Sequence, residues 1–253
     1  MSGRSRSNET RSSATFKGGS FFHLDVTNFD RLPEVVAGAD AVVHLAALPG
    51  PHGFPPEEVF RNNVLGTYRV VQACRQLDVH KVVLASGINA IGLTFNVRMP
   101  RLDYLPLDKK HPARPEDAYS LSKLVGEQVA DAATRLEPQL SVASLRLHGV
   151  VFPDRRASPR FPEAAAGMRD LWGYVDIRDA VAAFLRALEA SFSGHEVFFI
   201  CARDTGAAVP TAEPLACYYP RVPLRRPLGQ YEGLFEIGKA ARLLGWTPQH
   251  SWR

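Results

Sequence analysis

Ala118-Tyr119-Ser120-Leu121-Ser122-Lys123-Leu124-Val125-Gly126-Glu127 has helical character, and Tyr119 and Lys123 stand four residues apart within it. Both side chains therefore project from one face of one helix, a turn apart. A phenol with a pKa of about 10 is a poor acid or base at neutral pH unless a cation beside it stabilises the phenolate, and Lys123 is placed to be that cation. A tyrosine brought toward neutrality can move a proton to or from a substrate hydroxyl while a hydride moves at the carbon behind it. The same spacing also suits a surface helix with a half-buried Tyr and a solvated Lys. The flanking sequence decides between them.

Upstream of this helix, Lys81 to Ser86 is a β-branched run ending in small residues, and the loop from Gly87 to Asp117 carries Pro100, Pro106, Pro112 and Pro115. Downstream, Ser141 to Leu147 predicts the next strand. Farther back, Ala41 to Ala47 is a continuous apolar run of the kind found in a strand buried on both faces. Val59 to Leu77 has helical periodicity through Phe60, Val64, Tyr68 and Val71. Ser20 to Val26 reads as a strand, and Asn28 to Ala37 as a short helix after it. Strands alternating with helices of ten or more residues predict right-handed βαβ units and a parallel sheet with helices on both faces. Past Phe152 the rhythm breaks. Tyr174 to Asp179 leads into an Ala-rich helix, Ala180 to Ala190, then a strand, Glu196 to Cys201, and a run of short elements from Pro210 to Arg253.

The chain has 253 residues, 45% of them hydrophobic, enough for one large domain carrying a small annex. Its net charge is +4, but Arg4, Arg6, Arg11 and Lys17 against Glu9 put +3 in the first 17 residues and leave +1 for the rest. The basic balance thus belongs to an appendage, and no nucleic-acid partner is expected of the folded part. Cys74, Cys201 and Cys217 are few, odd in number and without metal-like spacing, which points to a reducing compartment, a cytoplasmic location and no metal. No apolar run approaches a membrane span, so no membrane partner is expected.

Seven segments, in order, resemble the extended short-chain dehydrogenases of the NAD-dependent epimerase/dehydratase group. They are Leu24-Asp25-Val26, His44-Leu45-Ala46-Ala47, Asn63-Val64-Leu65-Gly66-Thr67, the Tyr119 to Glu127 stretch, Leu145-Arg146, Tyr174 to Asp179, and Leu243-Leu244-Gly245-Trp246-Thr247-Pro248. The resemblance implies a Rossmann-like sheet in a truncated dinucleotide-binding domain over 20–152, after a disordered basic tail at 1–19. It further implies a mixed region over 153–253 holding a substrate annex, with a helix and strand returning to the main domain. It makes Tyr119 the general acid/base, with Lys123 as its pKa modulator and a ligand of the nicotinamide ribose. Asp25 and Val26 look like adenine contacts, Leu45, Ala46 and Ala47 like the floor beneath the dinucleotide, and Asn63 like the residue fixing backbone behind the site. Leu147, His148 and Gly149 sit where the family lines the nicotinamide, and His44 is expected to be a packed strand-end histidine. The implied cofactor is NAD or NADP, and the implied substrate a sugar, sugar acid or nucleotide sugar. Ala85-Ser86-Gly87-Ile88-Asn89-Ala90-Ile91-Gly92 leans the resemblance toward uronate dehydrogenases. Tyr174 to Asp179 is expected to tie the cofactor domain to the annex, and a homodimer through the Tyr119 helix and the Val59 to Leu77 helix is a family habit. Arg146, Arg155, Arg156 and Arg160 are either ligands of a substrate carboxylate or phosphate, or ordinary solvated surface.

Two departures bear on activity. Family members open with a strand, a Gly-rich turn and a helix holding the pyrophosphate, and no such segment is found before Ser20. Three readings follow: a truncated product, a strand at Ser20 that slides over to pair with the one at Ala41, or a partner chain filling the gap. Truncation with sliding is the expectation; a module that binds or regulates without turnover is the alternative function. The second departure is Gly87, which stands where the family's catalytic Ser or Thr falls. Either Ser86 substitutes for it through a local backbone shift, or the hydroxyl that polarises the substrate is lost.

Overall fold

The computed structural model describes residues 19–153 and 159–253. The basic tail and the Arg155 and Arg156 candidates lie outside the described residues. A four-stranded parallel sheet has the order β1 (Val42–His44), β2 (Lys81–Gly87), β3 (Ser141–Leu147), β6 (Gly194–Ile200). Strands β4 (Val150–Val151) and β5 (Val175–Asp176) form a separate parallel pair. Helices α1 (Leu32–Val36), α2 (Pro56–Gln76) and α3 (Ala118–Leu136) accompany one face, while α4 (Ile177–Glu189) and α6 (Gly238–Leu244) cover the other.

The pleat of β2 sorts its residues between these layers. Val82 and Leu84 join the core beneath α2 and α3, whereas Val83 joins the core beneath α4 and α6. A strand buried on both faces needs apolar side chains on both, which is why Val82, Val83 and Leu84 stand consecutively in β2. A third core gathers Leu105, Leu107, Trp172, Phe199, Leu234 and Phe235, with Leu215 of α5 (Ala212–Tyr218) among its members.

Local chemistry sets the helix ends. Asp117 caps α3 by accepting a hydrogen bond from the Ser120 N–H at 2.9 Å. The helix stops at Leu136, two residues before Pro138. Pro56 at the first position of α2, followed by Glu57 and Glu58, suits a helix start in both backbone and charge.

The segment at 20–26 is not a strand. Asp25 instead closes a turn, accepting from the Thr27 N–H and hydroxyl, each at 2.8 Å, while Asn28 N–H donates to the Asp25 carbonyl. Leu24 and Val26 pack against the core beneath α2 and α3 without joining the sheet. The sliding expectation is therefore overturned: β1 pairs with β2 alone, only three residues of the 41–47 run are in the ladder, and 20–26 contributes nothing to its free edge. A strand needs a neighbour with which to exchange backbone hydrogen bonds, and the apolar anchor Val26 found a closer partner in α2. At Gly66 an added Cβ would stand 2.9 Å from Val26 Cγ2, so that glycine makes the seat for the valine.

Tyr174 to Asp179 serves as a tie. Tyr174 donates to Asp204 at 2.6 Å, and Asp176 caps α4. The buried Asp179 carboxylate accepts from the N–H groups of Gln249 and His250 and lies 2.8 Å from His250 Nδ1, while Trp246 Nε1 donates to the Asp179 carbonyl.

Candidate active site

The site lies where the C-terminal ends of β1, β2 and β3 meet the first turns of α3. Tyr119 and Lys123 project side by side from α3, with Lys123 Nζ 5.5 Å from the centre of the Tyr119 ring. Lys123 donates to the Ala85 carbonyl of β2 at 2.8 Å, which pins α3 to the strand end. Phe95 meets the Tyr119 ring edge to face at 5.7 Å, and His52 meets Phe95 in the same manner at 5.9 Å. Phe95 had no signal of its own in the Pro-rich loop. Its place depends on Gly92, whose φ of +89 and 2.2 Å approach of an added Cβ to the Arg114 carbonyl admit no side chain.

The electrostatics differ from expectation. Burial, with the Asp117 charge added, pushes the Tyr119 phenol up to about 12, and burial pulls the Lys123 ammonium down to about 8. The expected lowering of Tyr119 by Lys123 is absent because the ammonium is directed at the Ala85 carbonyl and desolvation opposes charge on both groups. A bound polar ligand that brings hydroxyls to Lys123 would change both environments.

Asn63 is buried on α2 and clasps the backbone of Leu48, accepting from its N–H at 2.8 Å and donating to its carbonyl at 3.1 Å. Its amide also donates to Ser122 Oγ on α3 at 3.1 Å, so one side chain locks the loop after β1 to both helices. Leu45 and Ala46 are exposed and Ala47 half-exposed along that loop. His44 is packed, 3.3 Å from Thr67 Oγ1, and burial, with the Lys123 charge second, holds its imidazole down at about 4. His44, Ala46, Ala47, Asn63, Lys123 and Glu127 all border one recess between the sheet and the two helices. Asp25 is exposed beside α2, and Leu147 is half-buried at the end of β3. The His148 ring is buried, 2.8 Å from the Asp170 carbonyl through Nε2 and edge-on to Phe235.

Ser86 is engaged by a neighbour: its hydroxyl donates to Glu127 Oε1 at 2.7 Å at the wall of the recess. Arg146 is neither a substrate ligand nor solvated surface: buried on β3, it binds Glu127 bidentately, Nε to Oε1 at 2.8 Å and Nη2 to Oε2 at 2.7 Å. A charged residue inside the apolar run of β3, opposite Ser86 in register, was the sequence signal for this pair. Arg160 is exposed, and its Nη2 would lie 2.6 Å from a Cβ added at Gly149.

Gly87 is the position that faces the phenol. A Cβ there would stand 3.9 Å from the Tyr119 hydroxyl oxygen, 3.8 Å from the Leu147 carbonyl and 3.9 Å from the Asn89 N–H nitrogen.

The sequence profile of the NAD dependent epimerase/dehydratase family matches residues 2–201. The chain belongs to that family. It is 31% identical over 176 residues to the L-arabinose 1-dehydrogenase (NAD(P)(+)) of Haloferax volcanii, covering 66% of this chain and 67% of that protein. With the uronate dehydrogenase of Pseudomonas putida it shares 34% identity over 96 residues, 38% of this chain and 32% of that one. Matches to these and to a Xenopus laevis short-chain dehydrogenase/reductase family 42E member 1 span between about a third and two thirds of the relatives' lengths. Among solved structures, MoeE5 in complex with UDP-glucuronic acid and NAD superposes with a TM-score of 0.65 at 24% identity, over 91% of this chain and 80% of that one. A mutated uronate dehydrogenase gives 0.63 at 21%, over 90% and 66%. At these identities the superpositions establish the shared Rossmann-like fold. Among the described residues no helix is long and apolar enough to cross a membrane.

Proposed function

We propose that the chain is an NAD- or NADP-dependent oxidoreductase or epimerase of a sugar, sugar acid or nucleotide sugar, with Tyr119 as general acid/base. The observation that carries this reading is the side-by-side placement of Tyr119 and Lys123 at the strand ends, with the phenol aimed at the empty side of Gly87. The residues around them fit the nicotinamide half of the cofactor: Lys123 offers N–H donors to ribose hydroxyls, the small Ala46 and Ala47 permit close backbone approach, and Asn63 holds the loop beneath. When bound, the nicotinamide supplies the hydride acceptor or donor.

The chain's own part is to hold the substrate hydroxyl against Tyr119, which takes or returns its proton, and to place a cation beside that proton transfer through Lys123. Ser86 leaves the polarising role vacant, and the absence of that hydroxyl slows the step. Arg160, exposed beside Gly149 just past the end of β3 and without a carboxylate partner among the described residues, is the candidate ligand for a substrate carboxylate, which favours a sugar acid. The similarity to arabinose and uronate dehydrogenases supports the same class.

Titration with NADH and NADPH by fluorescence, followed by turnover of aldoses and uronates with each cofactor, tests the reading. Micromolar binding and reduction of NAD or NADP by at least one sugar are expected. A chain that binds neither cofactor up to millimolar concentration overturns it in favour of a binding or regulatory module.

A further inference from the structure

Tyr119, Lys123 and Glu127 follow one another at intervals of four along α3, so they form one inward-facing row. Lys123 and Glu127 border the same recess, one turn apart. Around Glu127 three donors converge, the Ser86 hydroxyl and the Nε and Nη2 of Arg146, at 2.7, 2.8 and 2.7 Å. These bonds come from adjacent strands whose register sets Ser86 opposite Arg146, and Phe199 lies across from Arg146 on β6 with its ring 5.4 Å from the guanidinium carbon. Glu127 and Arg146 are each 4% exposed, so no solvent loosens the arrangement. A carboxylate this firmly oriented has one turn of helix between it and the ammonium that the proposed reaction needs in charged form.

We propose that Glu127 is a positioning residue that acts through Lys123, as the fixed counter-ion that keeps the ammonium charged at neutral pH, with Ser86 and Arg146 holding its carboxylate in place. The significance for catalysis rests on the oxidoreductase reading above; the electrostatic relationship does not. Other titratable or charged groups facing Lys123 are Tyr119 from α3 and His44 from β1, with Arg146 from β3 behind Glu127. The recess residues of α2, Asn63 and Thr67, carry no charge. His44, driven neutral by burial, offers no counter-charge, and Tyr119 is neutral too, which leaves Glu127 as the anion among these neighbours. Burial drags the Lys123 ammonium down while Glu127 opposes the fall. The geometry also accounts for Ser86, which steadies a carboxylate where the sequence suggests a catalyst.

Lysine-labelled chain without cofactor, followed by NMR of the ε-carbon shifts against pH, provides the test, with the Lys123 signal assigned by its loss in Lys123→Arg. Glu127→Gln is expected to lower the Lys123 midpoint by about one pH unit or more. The double variant Glu127→Gln, Arg146→Met removes the buried Glu127–Arg146 pair as a unit and serves if the single variant does not fold; its midpoint is expected below wild type by a smaller step. A midpoint that is unmoved or raised in either folded variant overturns the proposal. Because no cofactor is present, inactivity toward sugars would remove the oxidoreductase reading without touching this result.

Discussion

Between Tyr119 and Gly87 there is room for one hydroxyl: the glycine's missing Cβ would stand 3.9 Å from the phenolic oxygen, at ordinary contact distance from everything near it. Gly87 has φ −156 and ψ 160, extended backbone that any residue adopts. Gly87→Ser is therefore expected to fold normally and to raise turnover at saturating cofactor. Loss of a polarising donor costs on the order of a hundred- to a thousand-fold, so a gain of at least about tenfold is the expected result. Steady-state kinetics on the sugar acid that the wild type turns over most rapidly decides it, and an unchanged rate in a cofactor-binding preparation would show that the substrate oxygen is polarised elsewhere.

Lys123 should trade stability for chemistry. Its ammonium is pulled from 10.5 to about 8 on folding, so the unfolded chain holds the proton more tightly and charge at this position opposes folding. The sign follows: the penalty is fully present below about pH 8 and fades as pH rises toward 10.5, where the lysine is neutral in both states. Lys123→Met is expected to stabilise the chain at pH 7 by up to about 3 kcal/mol, less the lost bond to the Ala85 carbonyl, while abolishing turnover. Thermal unfolding at pH 7 and pH 9.5 should show the advantage shrinking at the higher pH; an advantage that grows with pH would refute the assignment.

Asn63 answers both backbone groups of Leu48 from the middle of α2. Asn63→Leu leaves that N–H and carbonyl without their partners in a half-buried place, at a cost of about 2–4 kcal/mol. The loop after β1 should loosen first, seen as faster amide exchange at Leu48 and faster proteolysis between 48 and 55 than elsewhere in the chain.

Asp179 carries the C-terminal segment. With its carboxylate removed in Asp179→Ala, the N–H groups of Gln249 and His250 lose their acceptor, and a loss of about 2–4 kcal/mol is expected. Denaturant unfolding followed by tryptophan fluorescence, which reports on Trp246 and Trp252, should move to a lower midpoint. A variant that unfolds at the wild-type midpoint would mean that this tie contributes nothing to stability.

The parts of the molecule that announced themselves are those whose pattern is self-contained. The predicted strand at 141–147 is strand from its first residue to its last, and the Tyr119 helix runs to Leu136 because a capping Asp117 and a Pro at 138 bound it. What stayed hidden depends on a neighbour. Residues 20–26 have strand composition, but composition supplies no ladder, and the segment turned at Asp25 instead. Ser86 lies next to the residue that counting assigned to the catalytic hydroxyl, and adjacency in sequence means opposite faces in a strand. The Glu127–Arg146 pair joins residues 19 apart whose burial follows only from strand register. Phe95 depends on a turn that only the conformation of Gly92 permits.

The pleat of β2 has an evolutionary side. Moving this strand by one residue to bring Ser86 beside the phenol would also drive Val82, Val83 and Leu84 into the wrong layers and undo two cores at once. A hydroxyl beside the Tyr119 phenol can therefore be gained or lost through a change of residue at position 87, a local mutation for which the rest of the scaffold needs no compensation.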